Sequence, residues 1–138
     1  MSENMEMVVA SDEAKVNTSA LTQTVMSDFS GAKRSTVFNA LNNALSLSQD
    51  GPDTIELEGI ICKPGIRAVS NDPCIDTYLV ATDGQAYFTQ ATGISRAASN
   101  LLEIYRGNVR GIVVSVEEAS IGGGRTMKRL RIISEPEA

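Results

Sequence analysis

The chain has 138 residues, 42% of them apolar, and a formal net charge of −5 with no histidine. That balance fits one folded domain with short appendages rather than a disordered chain. It leaves no run near the ~20 apolar residues of a membrane helix, no basic-then-apolar leader, and no histidine to serve as general base or to complete a nucleophilic triad.

Residues 1–32 are polar, hold five acids against the single base Lys15, and lack steady periodicity. They read as a flexible acidic arm, in which Leu21 to Phe29 is the stretch able to order against a folded body. Ser35 can cap a helix that begins at Thr36, and Val37, Phe38, Leu41 and Leu45 then fall on one face. Gln49 to Asp53 is a turn cluster. Ile55 to Cys62 alternates as a strand, which Lys63-Pro64-Gly65 is expected to break, leaving 66–73 as a loop. A second strand runs from Cys74 to Thr82, and a third returns from Gln85 to Gln90.

Thr92 is the expected cap of a helix whose apolar stripe is Ile94, Ala97, Ala98, Leu101, Leu102 and Tyr105, with Gly107 as its stop. Two last strands follow, near Val109 to Glu118 and Arg125 to Ile133, joined through Gly122-Gly123-Gly124. The sum is a mainly β chain with helices. The expected fold is an OB-like small β-barrel of about five strands, with one helix before the fourth strand and an N-terminal helix. The domain spans 33–134, followed by a short acidic tail at 135–138. With no leader and no spanning helix, the expected location is the cytoplasm.

The charge is unevenly placed. Residues 96–131 carry seven bases and three acids, a local net charge of +4, and local potential rather than total charge steers a polyanion. A two-residue turn at Asp83-Gly84 would pair Val80 with Tyr87 and Tyr78 with Thr89. Tyr78 and Tyr87 would then be diagonal neighbours on the wetter face of the hairpin. Two such rings can stack bases with little sequence preference; the plainer reading is that they cover the core with their hydroxyls in water. On the last strand Arg125, Met127, Arg129 and Arg131 share a face and Lys128 lies on the other. Alternate strand residues are ~6.5–7 Å apart, close to the phosphate spacing of an extended single strand. Arg110, on the preceding strand, can join the row. The competing reading is an edge strand protected by charge.

Other features point away from chemistry. Cys62 and Cys74 are too few for a disulfide framework or a structural zinc site and read as half-buried free thiols. Gly124 is followed by Arg125 and a strand, not by Lys-Ser/Thr and a helix, so the triple glycine is a hairpin tip and no P-loop. Glu56 with Glu58 and Glu117 with Glu118 read as solvated charges. No catalytic residue, metal site or cofactor is expected.

The chain resembles the single-stranded DNA-binding proteins of tailed phages, particularly those of Gram-positive hosts. The resemblance spans about residues 33–133. It rests on Val37-Phe38-Asn39-Ala40-Leu41-Asn42-Asn43, on Leu79-Val80-Ala81-Thr82-Asp83-Gly84-Gln85-Ala86-Tyr87, on Ala91-Thr92-Gly93-Ile94 and on Gly124-Arg125-Thr126-Met127-Lys128. It implies an OB-like fold and cooperative coating of single strands during phage DNA replication or recombination, in the host cytoplasm. It places Tyr87 in an Asp-Gly-x-x-Tyr segment and Arg125 and Lys128 in a Gly-x-x-x-Lys segment. The expected DNA-binding set is therefore Tyr78, Tyr87, Arg110, Arg125, Lys128, Arg129 and Arg131. The expected partners are single-stranded DNA and phage replication or recombination proteins, with a homo-oligomer left open and no membrane. The alternative is a non-catalytic protein-interaction module of a replication complex, acting through the Val37–Leu45 segment.

Overall fold

The computed structural model describes residues 7–9, 23–29 and 32–136; the rest of the expected N-terminal arm and the last two residues lie outside the described residues. The described chain is mainly β, a curled mixed sheet with helices on both faces. In chain order it runs β1 (Met7–Val9), β2 (Thr24–Met26), α1 (Arg34–Asn43), β3 (Leu45–Ser46), α2 (Leu47–Asp50), β4 (Thr54–Ile66), β5 (Pro73–Ala81), β6 (Ala86–Thr89), α3 (Thr92–Ile104), β7 (Val113–Gly122) and β8 (Arg125–Ser134). Eight strands are thus present where about five were expected.

Long β4 organises the sheet. It pairs antiparallel with β5 over most of its length, with β2 at Ile61 and Cys62, and with β7 at Thr54 to Glu56. Its burial pattern explains the architecture. Ile55 and Leu57 are buried between exposed Thr54 and Glu56, as on a sheet with one wet face. From Gly59 to Cys62 every residue is buried, because there the sheet is covered on both sides. On one side Leu57, Ile60, Cys62, Ile75, Leu79 and Ala81 pack with Ile94, Ala98, Leu101 and Leu102 of α3 and with Val109, Ile112 and Val114. On the other, Ile61, Tyr78, Val80 and Ala86 pack with Met26 and Ala40, and with half-buried Val37 and Leu41 of α1.

Several sequence expectations are corrected. β4 does not break at Lys63-Pro64-Gly65, which pair with Asp76, Ile75 and Cys74. β2 reaches β4 only as far as Cys62, so among the described residues Pro64 pairs with β5 alone, an edge-like setting that tolerates a residue without an N–H. Within the Leu21 to Phe29 stretch, as the sequence allowed, part of the arm orders against the folded body. Val25, Met26 and Ser27 are buried, and Ser27 exchanges two hydrogen bonds with Ile60: its N–H donates to the Ile60 carbonyl and its Oγ accepts from the Ile60 N–H, both at 2.9 Å. α1 starts at Arg34, with Lys33 rather than Ser35 at its cap. Phe38 (62% exposed) and Leu45, expected on the buried face, point outward.

α3 matches its expected stripe closely, with Ile94, Ala98, Leu101 and Leu102 buried. Ala91, not Thr92, is its cap. It ends where Arg106 and Gly107 adopt positive φ, and the Gly107 N–H closes onto the Leu102 carbonyl at 2.9 Å, satisfying an orphan end carbonyl. Gly93 lies so close to the Lys128 carbonyl that a Cβ there would overlap it. This close approach lets the start of α3 seat on β8.

Candidate functional site

The β5–β6 connection decides where the tyrosines go. The observed pairs are Thr77 with Thr89, Tyr78 with Phe88, Leu79 with Tyr87 and Val80 with Ala86. The link is one residue longer than expected. The Gly84 N–H donates to Ala81 at 2.9 Å, the Ala81 N–H to Gln85 at 2.8 Å, and the Asp83 carboxylate accepts from the Gln85 N–H at 2.9 Å, with Gly84 at φ +94°. Three residues, Thr82-Asp83-Gly84, therefore make the turn, and Gly84 supplies the left-handed residue such a turn needs. A shift of one residue moves side chains to opposite faces.

The consequence is a correction. Tyr78 and Tyr87 do not share a face. Tyr78 is 8% exposed, packed under α1 with its ring centroid 5.3 Å from that of Phe88. Tyr87 is half-buried against the other core, on the face it shares with its pair partner Leu79. The paired-ring platform is not built. Burial, and in second place nearby Asp76 for Tyr78 and Asp83 for Tyr87, push both phenols above their ordinary pKa, as expected of rings serving as core.

The cations are placed differently. β7 and β8 form a hairpin that leaves the sheet: β7 pairs with β4 only through Val113, Val114 and Ser115, while β7 and β8 continue together to Gly122 and Arg125. Arg129 and Arg131 lie on one face, as the alternation predicts, and both grip one carboxylate. Glu117 Oε1 accepts from Arg129 Nε at 3.2 Å and faces its Nη2 at 3.1 Å, and Glu117 Oε2 accepts from Arg131 Nε at 2.8 Å. The Ser115 hydroxyl adds a bond at 2.9 Å. These contacts, Arg131 first, then Ser115 and Arg129, hold the Glu117 carboxyl below its usual pKa against a small opposing effect of desolvation. Lys128 Nζ lies 3.3 Å from Glu118. Arg125 stands at the exposed tip beside Gly124. The tip carries four cations against two carboxylates, a net positive surface.

Glu117 and Glu118 are thus ion-pair partners, not simply solvated charges. The bulge at Ile121, between the Ser120–Thr126 and Gly122–Arg125 pairs, sets which cation each carboxylate meets. Regular alternation back from Gly122 would set Glu118 against Arg129. Arg110 does not join the row. It lies before β7, and its Nε and Nη2 donate to Glu58 Oε2 at 3.1 and 2.7 Å, next to the β4 irregularity between Leu57 and Gly59.

Cys62 and Cys74 are free and buried, more deeply than the half-burial expected. Desolvation pushes the Cys62 thiol up to about 12, with a hydrogen bond from Thr77 acting weakly the other way, so it stays protonated and unreactive at neutral pH. Among the described residues no group of three or more Cys, Asp or Glu side chains converges to hold a metal ion, and no helix is long and apolar enough to cross a membrane. The polar residues Arg67, Gln90, Thr92 and Arg96, which the sequence reading did not connect with one another, meet at the start of α3. Nothing in their spacing announced it, because they come from β4's end, β6's end and a helix. Comparison with protein-family models, with curated proteins and with solved structures finds no match for this chain.

Proposed function

We propose that the protein is a non-catalytic, sequence-independent single-stranded DNA-binding protein that coats and protects single strands during phage DNA replication or recombination, in the host cytoplasm. The observation that carries the reading is the β7–β8 hairpin, exposed beyond the sheet with Arg125, Lys128, Arg129 and Arg131 on it. Its ion pairs lie at the surface, where solvent screening and side-chain entropy leave each of them little net stabilisation. Phosphates can therefore replace the Glu117 and Glu118 carboxylates at little cost, and counterion release from the strand then favours the complex. The element order supports an OB-like reading as well: a three-strand meander β4–β5–β6, a helix, and a hairpin whose first strand returns antiparallel to β4. Arg110 remains a candidate contact from its own pair with Glu58. Tyr78 does not.

The alternative, a protein-interaction module acting through the 37–45 segment, has less support. Val37, Ala40 and Leu41 already pack against β5 and β6, although Phe38 and Leu45 stay outward.

Fluorescence anisotropy of a labelled oligothymidine over a salt series tests the proposal. The affinity is expected to fall linearly with salt on logarithmic axes, and Arg129→Ala with Arg131→Ala is expected to reduce that slope by about 1–2. An unchanged slope and affinity in the double variant overturns the site. Failure of the wild-type protein to bind at low salt overturns the function, and a stable protein complex in its place favours the alternative.

A further inference from the structure

Away from the Glu117 cluster, a cavity of about 380 Å³ opens between the β4–β5 loop and the first turn of α3, with Arg67, Asp72, Gln90, Thr92, Ser95 and Arg96 in its wall. That volume is within the ~300–1,000 Å³ range of small-ligand sites. Its cations differ from those of the hairpin. Arg110, Lys128, Arg129 and Arg131 each face a carboxylate. Among the described residues neither Arg67 nor Arg96 is in an ion pair. Arg67 Nη2 donates instead to two neutral oxygens, the Gln90 carbonyl and Thr92 Oγ1, both at 3.1 Å. The guanidinium is thereby oriented while its charge and its remaining donors stay available. Asp72 contributes a backbone carbonyl to the Arg67 N–H at 2.9 Å; its carboxylate is the one acid in the wall. Ser95 Oγ is engaged with Thr77 at 2.9 Å and with the Ile75 carbonyl at 3.4 Å, so it closes the floor rather than meeting a ligand. The Thr92 hydroxyl accepts from Arg67 and keeps its own proton to donate.

Two guanidiniums outside any ion pair among the described residues, one of them fixed in advance, outnumber the Asp72 carboxylate of the wall and suit a compact anion with several acceptor oxygens, for which the arginine fork is matched. The cavity also adjoins the hairpin, because Gly93, between Thr92 and Ile94, packs against the Lys128 carbonyl. We infer that this cavity is a second binding site that takes the phosphoryl group of a nucleotide, with Arg67 and Arg96 as its recognising groups. The inference rests on the single-strand reading for the source of that nucleotide, a residue of a strand already held by β7 and β8. Its chemistry does not depend on that source.

The test is an amide-shift titration of the full-length, isotopically labelled protein with thymidine 5′-monophosphate, inorganic phosphate and thymidine in separate arms. The monophosphate is expected to shift the amides of Arg67, Thr92 and Arg96 and to bind more tightly than either other probe. Arg96→Gln, at an exposed position that leaves the core untouched, is expected to weaken that binding about tenfold, with Arg96→Lys recovering part of it. Equal binding of thymidine and the monophosphate, or an unchanged affinity in Arg96→Gln, overturns the site. Inorganic phosphate binding as tightly as the monophosphate overturns the nucleotide assignment. The Arg129→Ala, Arg131→Ala double variant separates this inference from the broader reading. It is expected to keep monophosphate binding whether or not the protein holds oligothymidine.

Discussion

Two hairpins of this molecule look alike in sequence and behave as opposites. Both alternate, both turn through glycine, and both carry residues suited to nucleic acid. The β5–β6 hairpin is clamped between α1 and α3: from Cys74 to Ala81 every residue but Asp76 is buried. The β7–β8 hairpin has a core only at its base. Past Val114 none of its residues is buried, and its side chains meet one another across the strands. A hairpin covered on both faces gives up its rings to the core, and one that α3 covers on one face alone keeps its charges for solvent or a ligand.

Four substitutions sharpen or break that contrast. The largest effect is expected at Tyr78. Tyr78→Ala removes a ring packed between sheet and helix and should destabilise the fold by about 3–5 kcal/mol in urea denaturation, whereas Met127→Ala on the other hairpin should cost about 1 kcal/mol or less. Equal costs would erase the distinction. Gly93→Ala comes next. Its Cβ would overlap the Lys128 carbonyl and come within 2.9 Å of Met127 Cε, and such overpacking typically costs about 1–3 kcal/mol. Faster hydrogen exchange confined to β8 and the start of α3 is the expected signature, and uniform exchange through β5 would contradict it.

The smallest effect, and the most diagnostic, is at Glu117. Glu117→Gln removes the carboxylate shared by Arg129 and Arg131, so oligothymidine should bind about fivefold more tightly, a modest gain of the kind an exposed pair allows. Weaker binding would mean that Glu117 positions the arginines rather than competing with the strand. The pH dependence follows from the same group. Its folded pKa lies below the ordinary 4.5, so the stability it adds is present above that value and is lost as pH falls through the folded pKa. Over that window wild type and Glu117→Gln should converge in both urea midpoint and oligothymidine affinity.

Much of the fold was legible. The stripe of α3, the cores of β4 to β6 and the shared face of Arg129 and Arg131 follow from periods of 3.6 and 2 that those segments themselves display. The failures have definite causes. Lys63-Pro64-Gly65 has the composition of a turn, and only the distant β5 makes it strand. Val25 to Ser27 sits in a polar arm, and Ser27 matters through a partner, Ile60, far along the chain. The candidate site failed at Tyr78 and Tyr87 through one extra turn residue. In the same way, the Glu117 pairings rest on one extra residue at Ile121.

The sequence by itself determined α3, most of β4 to β8 and which residues alternate together there, because those depend on neighbours a few positions away. Tertiary structure alone decided which faces are covered, and hence that the tyrosines belong to the core while the arginines of β8 stay outside. The physical reason is register. A single inserted residue leaves a strand's local pattern unchanged and turns every cross-strand pairing beyond it to a new partner.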